Sequence, residues 1–151
     1  MKYIKLTRGK VAIVNNSDFT RLNKFKWSAH FDGWNWYAKR RKPGPRSQNT
    51  TITMHQEILQ CRKGREGDHI NGNGLDNRRS NLRKATHKQN VRNTLTTPQT
   101  GIRKVGKKFA VRIGINGHRI HLGMFLTSEQ AHEAYIIAAK KYFGKFIRTK
   151  A

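Results

Sequence analysis

Glu66-Gly67-Asp68-His69-Ile70-Asn71-Gly72-Asn73-Gly74-Leu75-Asp76-Asn77-Arg78-Arg79-Ser80-Asn81-Leu82-Arg83-Lys84-Ala85, followed by residues 86–93, is the stretch from which the rest of the chain is read. Glu66 and Asp68 are two of only eight acidic residues in a chain of 151 whose formal charge is +24. A carboxylate, an imidazole and a row of asparagines amid so much positive charge suggest a metal-dependent site that acts on a polyanion. Residues 66–70 fit a short strand, the run Asn71-Gly72-Asn73-Gly74 tolerates positive φ, and residues 81–85 fit a returning strand. Thr86 with Gln89 three positions on is a capping-box signature for a helix that carries Asn90. Two strands followed by a helix would bring Asp68, His69 and Asn90 together from separate parts of the sequence.

Those residue types define a chemistry. A divalent ion such as magnesium (Mg2+) takes oxygen ligands, and a carboxylate plus a side-chain amide carbonyl leave positions open for water and a phosphate oxygen. The imidazole beside them is placed to take a proton from an attacking water. Asn81, nine residues before Asn90, either orients the histidine or braces the loop. His55, alone at the start of a short helical pattern over residues 55–59, reads first as a packed or hydrogen-bonding side chain.

The run from Asp68 to Arg83, with Asn90 beyond it, resembles the signature of HNH homing endonucleases of the phage type. That resemblance implies a ββα-metal nuclease in which His69 is the general base, Asp68 and Asn90 are metal ligands, and Asn81 is the middle asparagine of the motif. Many members have histidine where this branch has its third asparagine, so His87 is a weaker ligand candidate. The likeness extends upstream through residues 6–10, Lys26-Trp27 and Met54-His55.

Composition points the same way. Thirty-two Lys and Arg, with a pI near 11.2, are the electrostatic footprint of a nucleic-acid binder, with a basic membrane-surface protein as the competing reading. There is no long apolar run and the amino terminus lacks a secretory core, so a soluble cytoplasmic protein is expected, in the host cell's cytoplasm if phage-encoded. Cys61 is the single cysteine, which excludes an internal disulfide and zinc patterns built on paired cysteines. A monomer with no membrane association and no disulfide-linked partner follows as the expectation. With 35% hydrophobic residues, small modules are favoured over one large core.

Residues 1–60 read as short strands separated by turns. Ile4, Leu6, Val11, Ile13 and Val14 flank a polar break at residues 7–10, and residues 15–18 form a turn or helix start. Phe19, Leu22, Phe25 and Trp27 fill a core, while Trp34 or Trp36 is the sharper candidate for stacking on a base. Residues 36–39 and 51–54 look like strands joined by a basic loop, residues 40–49, that is either a phosphate-tracking arm or a solvated hairpin tip.

Residues 91–100 read as a linker, with a boundary near Thr97. Beyond it Phe109, Val111, Ile113 and Ile115 alternate with polar or small residues, Asn116-Gly117 signals a hairpin, and Ile120 and Leu122 should face inward. Ile102 and Arg103 would supply a shorter strand. Thr127 to Gln130 is a second capping box, before a helix whose Ala131, Ala134, Tyr135, Ala138, Ala139 and Tyr142 recur at helical spacing, with Gly144 as its stop. The outward face would carry Arg103, Lys108, Arg112, Arg119 and His121 toward DNA, where arginine reads guanine edges and lysine holds phosphates. Residues 100–146 resemble the Apetala-type, or ethylene-responsive-factor, DNA-binding domain. Gly114 and His121 stand where that family usually has arginine and tryptophan, so its target sequence does not transfer.

The fold expected is α+β: an N-terminal β-rich region leading into a ββα-metal (HNH) nuclease module over residues 1–96, then a small three-stranded antiparallel sheet packed on one helix over 97–151. The function expected is a site-directed homing-type endonuclease that nicks double-stranded DNA. A DNA-binding regulator with an inactive nuclease fold and a basic RNA-binding protein are the alternatives.

Overall fold

A hairpin opens the chain: β1 (Lys2–Lys5) pairs antiparallel with β2 (Val11–Val14), Ile4 opposite Ala12. The polar break between them turns through Arg8 and Gly9, both at positive φ, the backbone that tight antiparallel hairpins favour. The computed structural model describes residues 1–44, 51–93 and 99–148. It is a mixed α/β chain of several small antiparallel sheets and few helices, in which Met1–Asn90 and Val91–Ala151 are separate compact units. Part of the expected basic loop, residues 45–49, and the expected boundary near Thr97, within residues 94–98, lie outside the described residues.

In the first unit β2 leads into α1 (Asn16–Leu22), then a three-stranded sheet of β3 (Ser28–Phe31), β4 (Trp36–Arg41) and β5 (Thr51–Thr53), in that order across the sheet. Thr53 and Gln56 form a capping box that starts α2 (Met54–Leu59). Next come β6 (Glu66–His69) and β7 (Leu82–Ala85), paired antiparallel, and α3 (His87–Arg92). One core unites these pieces: Ile4, Val14, Leu22, Trp27, Met54, Ile58 and Leu82 are all buried together. Trp27 enters it without an orphaned donor, since its Nε1–H donates to the Leu22 carbonyl at 2.9 Å. Phe25, expected in the same core, is instead 38% exposed and carries the Arg40 guanidinium 3.9 Å from its ring centroid.

The amino-terminal section also grips the segment between β6 and β7. Ile13 donates to the Leu75 carbonyl at 2.9 Å and accepts from the Asn77 N–H at 2.8 Å, so β2 holds both sides of Asp76. The Asn15 side chain accepts from the Arg79 backbone N–H at 2.7 Å rather than capping α1. Asp18, buried on α1, accepts from Arg79 Nε and Nη2 at 2.7 and 2.8 Å and from Arg21 at 3.0 Å. Burial pushes the Asp18 carboxyl up, but hydrogen bonds and charge from Arg79 and Arg21 outweigh it and hold the pKa below the ordinary 3.8.

The second unit is a meander of β8 (Ile102–Val105), β9 (Lys108–Ile115) and β10 (His118–Phe125), with β9 central. Asn116 and Gly117 make the β9–β10 turn with φ of 50° and 85°, as the Asn-Gly pair predicts. Thr127 and Gln130 cap α4 (Ser128–Phe143), and Gly144 ends it. Ala131, Tyr135, Ala138 and Ala139 of α4 pack with Val111 and Ile113 of β9. Tyr142 does not extend that stripe: it is 44% exposed, and Phe143 is the residue packed against the core. Ile120 sits opposite buried Ile113, yet is 36% exposed and outside the packed cluster. Gly101 is required twice over, by its φ of +72° and because a Cβ would lie 2.5 Å from the Arg112 carbonyl oxygen and the Tyr135 ring. Among the described residues no helix is long and apolar enough to cross a membrane.

Asp18→Asn is expected to lower the unfolding free energy by about 1–3 kcal/mol near neutral pH, because Arg79 and Arg21 lose a charged acceptor. A carboxyl whose folded pKa is depressed stabilises the fold above its unfolded value and loses that contribution as pH falls through the folded one. The difference between the two proteins in urea titrations should therefore persist above pH 3.8 and close below it.

Candidate active site

Strand geometry divides the candidate residues before any contact is considered. Successive side chains on β6 point to opposite faces, so Glu66 and Asp68 share one face while Gly67 and His69 share the other. On the first face Asp68 lies directly opposite Arg83 of β7, and its Oδ2 accepts from Arg83 Nε at 2.6 Å. Glu66 takes two partners from α3: His87 Nδ1 at 2.9 Å and Asn90 Nδ2 at 2.7 Å. The Thr86–Gln89 capping box is formed, with bonds of 2.8 and 3.2 Å, and it sets the start of α3 that presents both residues.

Glu66 is the residue on this face that sequence reasoning missed as a participant. It holds the Asn90 amide by its nitrogen, which leaves the carbonyl oxygen as the end suited to a cation. Its own carboxyl is held below the ordinary range, chiefly by the Asn90 hydrogen bond, which outweighs the upward push of burial, with the hydrogen bond and charge of His87 adding to the lowering. Asp68, Asn90 and Glu66 offer oxygens of the type that a small divalent ion takes. Among the described residues no group of three or more His, Cys, Asp or Glu is arranged as a metal cluster.

The opposite face is a packed imidazole cluster. His69 is 5% exposed, and its Nε2 lies 3.3 Å from Asn77 Oδ1. The Asn77 amide is oriented by its Nδ2, which donates to the Gly74 carbonyl at 3.4 Å, so Oδ1 accepts and His69 Nε2 carries the proton. Nδ1 is then the basic nitrogen. His55, on the first turn of α2, meets His69 edge to face with ring centroids 4.7 Å apart, and Tyr37 stands 5.9 Å from both rings. Burial lowers the His69 pKa below 6.5, opposed by the Asn77 hydrogen bond and the charges of Asp68 and Asp76. His55 is pushed down to about 3 by burial, then by the neighbouring charges of His69 and Lys39. Both rings are therefore neutral near pH 7.

Of the two roles open to Asn81, its contacts are those of the brace. Its Oδ1 accepts from the Asn71 N–H at 2.9 Å and its Nδ2 donates to the Asp76 carbonyl at 2.8 Å. Asn77, which is fully buried, is a side chain bonded to His69. A signal for Asn77 exists in the sequence only as one of several asparagines, which is why spacing alone did not single it out. His87 is exposed and bonded to Glu66, and His55 packs rather than binding in the acidic face.

The Asn-Gly run works through two separate mechanisms. Gly72 has φ of +72°, as expected of such a loop. Gly74 has ordinary φ and is needed because a Cβ there would lie 2.4 Å from the Trp36 carbonyl oxygen and 2.6 Å from the Tyr37 ring. Gly67 is similar, with a Cβ falling 2.5 Å from His55 Cδ2. A glycine on a strand beside a capped helix start is the sequence mark of that close approach.

In the second unit the pairing register gathers the other candidates onto one sheet face. Arg103 lies opposite Ala110, Arg112 opposite His121, and Arg119 opposite Gly114, with Lys108 two residues before Ala110. Small Ala110 and Gly114 leave an open hollow of about 360 Å³ among Arg103, Arg112 and Arg119.

Comparison with known proteins bears on the first of these sites. Residues 63–92 match the family model described as HNH endonuclease, and those residues include β6, the loop, β7 and α3. The match ends at Arg92, before β8. A protein of Acanthamoeba polyphaga mimivirus named as an uncharacterized HNH endonuclease is 37% identical over 81 residues, covering 52% of this chain and 43% of that relative. The chain thus spans less than half the length of the curated relative it matches. No solved structure matches.

Gly74→Ala is expected to cost about 1–3 kcal/mol of stability, since the clash is with backbone that cannot rotate away. Urea titration measures it, and an unchanged midpoint would show that the loop stands clear of Trp36.

Proposed function

We propose that this chain is a metal-dependent DNA endonuclease of the free-standing homing type, with a cutting module over residues 1–96 and a DNA-positioning module over residues 97–151. The observation that carries the reading is the coincidence of Asp68, His69, Asn81 and Asn90 with the HNH endonuclease match over residues 63–92. His69 acts as general base: Asn77 keeps the proton on Nε2, so Nδ1 accepts the proton of a water as its oxygen attacks phosphorus, while the P–O ester bond to one strand end breaks and the leaving oxygen takes a proton from solvent. Asn81 acts at a distance by holding the loop between Asn71 and Asp76. Magnesium held by Asp68 and Asn90 would stabilise charge on the phosphoryl oxygens and leaving group. Double-stranded DNA is the substrate in this reading, and one site in a monomer cuts one strand.

The second module would hold the duplex on the sheet face that carries Arg103, Lys108, Arg112, Arg119 and His121, in the manner of the Apetala-type domain. Small residues at its centre permit close approach of a groove, and the flanking guanidiniums supply phosphate and base-edge contacts.

A second reading, a DNA-binding regulator with an inactive nuclease fold, is favoured by one observation: Asp68 already has a cationic partner in Arg83. Supercoiled plasmid separates the two. Wild type with magnesium is expected to yield nicked circles, and His69→Ala to cleave at least about 100-fold more slowly. Equal rates for both proteins, or cleavage that persists in chelator, would remove His69 or the metal from the mechanism.

Affinity for duplex DNA in chelator should fall steeply with salt, with a log-log slope of roughly −0.9 for each phosphate neutralised. A flat response across a salt titration would argue against a phosphate-dominated interface.

A further inference from the structure

The β3–β4 hairpin presents an aromatic side chain that neither the core nor the cutting chemistry uses. Trp34 at its tip is 94% exposed, whereas Trp27 in the same unit is 3% exposed. A single exposed apolar side chain is ordinary on a protein surface, so exposure alone assigns nothing.

Three further observations distinguish this one. First, the tip is an ordered turn: Asp32 Oδ1 accepts from the backbone N–H groups of Trp34 and Asn35 at 2.9 and 2.8 Å, and Asp32 N–H donates to the Asn35 carbonyl at 3.1 Å. The indole is therefore carried on a braced turn. Second, the turn is fastened to the loop that follows His69. Asn35 Nδ2 donates to the Gly72 carbonyl, and its Oδ1 accepts from the Gly74 N–H at 3.4 Å. Trp34 thus neighbours, in sequence, the residue that locks the hairpin to the candidate site. Third, the strand ends below the turn carry the Phe31 and Trp36 rings, 5.1 Å apart, and two cations from the connection between β1 and β2, Arg8 and Lys10, lie 5.7 and 5.1 Å from the Trp36 ring. Those cations lie over the half-buried Trp36, two residues along the chain from the exposed Trp34, and cations together with an exposed indole are the combination that holds a nucleic-acid strand, one binding phosphate and the other a base face.

We propose that Trp34 is a stacking platform for an unpaired nucleobase of the DNA strand next to the cutting site. Its ligand class rests on the endonuclease reading above, and its own evidence is the braced and anchored turn. A platform of this kind favours DNA that is already opened or bent at the cleavage position, because a base must leave its helix to reach the ring.

The test uses the full chain in chelator, where DNA is bound and not cut, with a single-stranded oligonucleotide carrying 2-aminopurine and a blunt duplex of equal length. Wild type should quench the 2-aminopurine on binding. Trp34→Ala should lose the quenching and bind the single strand about 5- to 100-fold more weakly, the equivalent of about 1–3 kcal/mol for one stacked base. Trp34→Phe should regain most of both, and neither variant should shift the unfolding midpoint. Unchanged binding and quenching in Trp34→Ala overturns the proposal. An equal loss on the blunt duplex, or no recovery with Phe, also overturns it by assigning the ring to a contact other than an unpaired base. Failure of the nuclease reading looks different: His69→Ala and wild type would cleave plasmid alike while the Trp34 dependence of quenching remained.

Discussion

The segment between β6 and β7 has little apolar surface to bury, so polar bonds decide its shape. Ile70 is 40% exposed and Leu75 half-buried, while Asn77 and Asp76 are buried and need partners that water cannot supply. The Asp76 carboxylate finds them nearby in Asn71 and Arg78, and the Asn77 amide in Gly74 and His69, while the segment as a whole is tied to residues far back in the chain: the Ile13 backbone, Asn15, Asp18 and Asn35. Without the amino-terminal hairpin and α1, the loop would have no wall to bond to. These residues before the motif are thus part of the candidate site's architecture.

The second constraint is the period of a strand. Because Asp68 and His69 are consecutive, they face opposite ways, and the candidate residues are divided between the two sides of β6. The acidic side is closed by α3 through Glu66, His87 and Asn90, and the imidazole side by α2 through His55. Electrostatics differ accordingly. Glu66 is stabilised as an anion by its hydrogen bonds, whereas burial favours uncharged rings for His55 and His69. Glu66 and His69, the two ends of one short strand, therefore occupy opposite electrostatic settings.

Much of the architecture was legible because it rests on local rules. The Asn116-Gly117 turn, the Thr127 cap and the alternation of β9 each follow from backbone preference or period, with no knowledge of distant contacts. What escaped reading depends on partners remote in sequence. Asn77 rather than Asn81 meets His69, and nothing local separates one buried asparagine from the other. Gly74 looks like a turn glycine, but its reason lies in the carbonyl of Trp36. Phe25 shares an aromatic pattern with buried Trp27, yet it ends beneath a guanidinium at the surface. Glu66 read as part of a strand and acquired a role only when α3 folded back beside it.

The bonds from Asn15 and Asp18 to Arg79 span more than sixty positions of chain. Contacts of that separation close late, after the entropy of a long intervening loop has been lost. The motif is consequently not a portable cassette. Residues 63–92 moved alone into another scaffold would carry the right side chains without the surfaces that position them, so exchange between relatives has to carry both ends of the unit together.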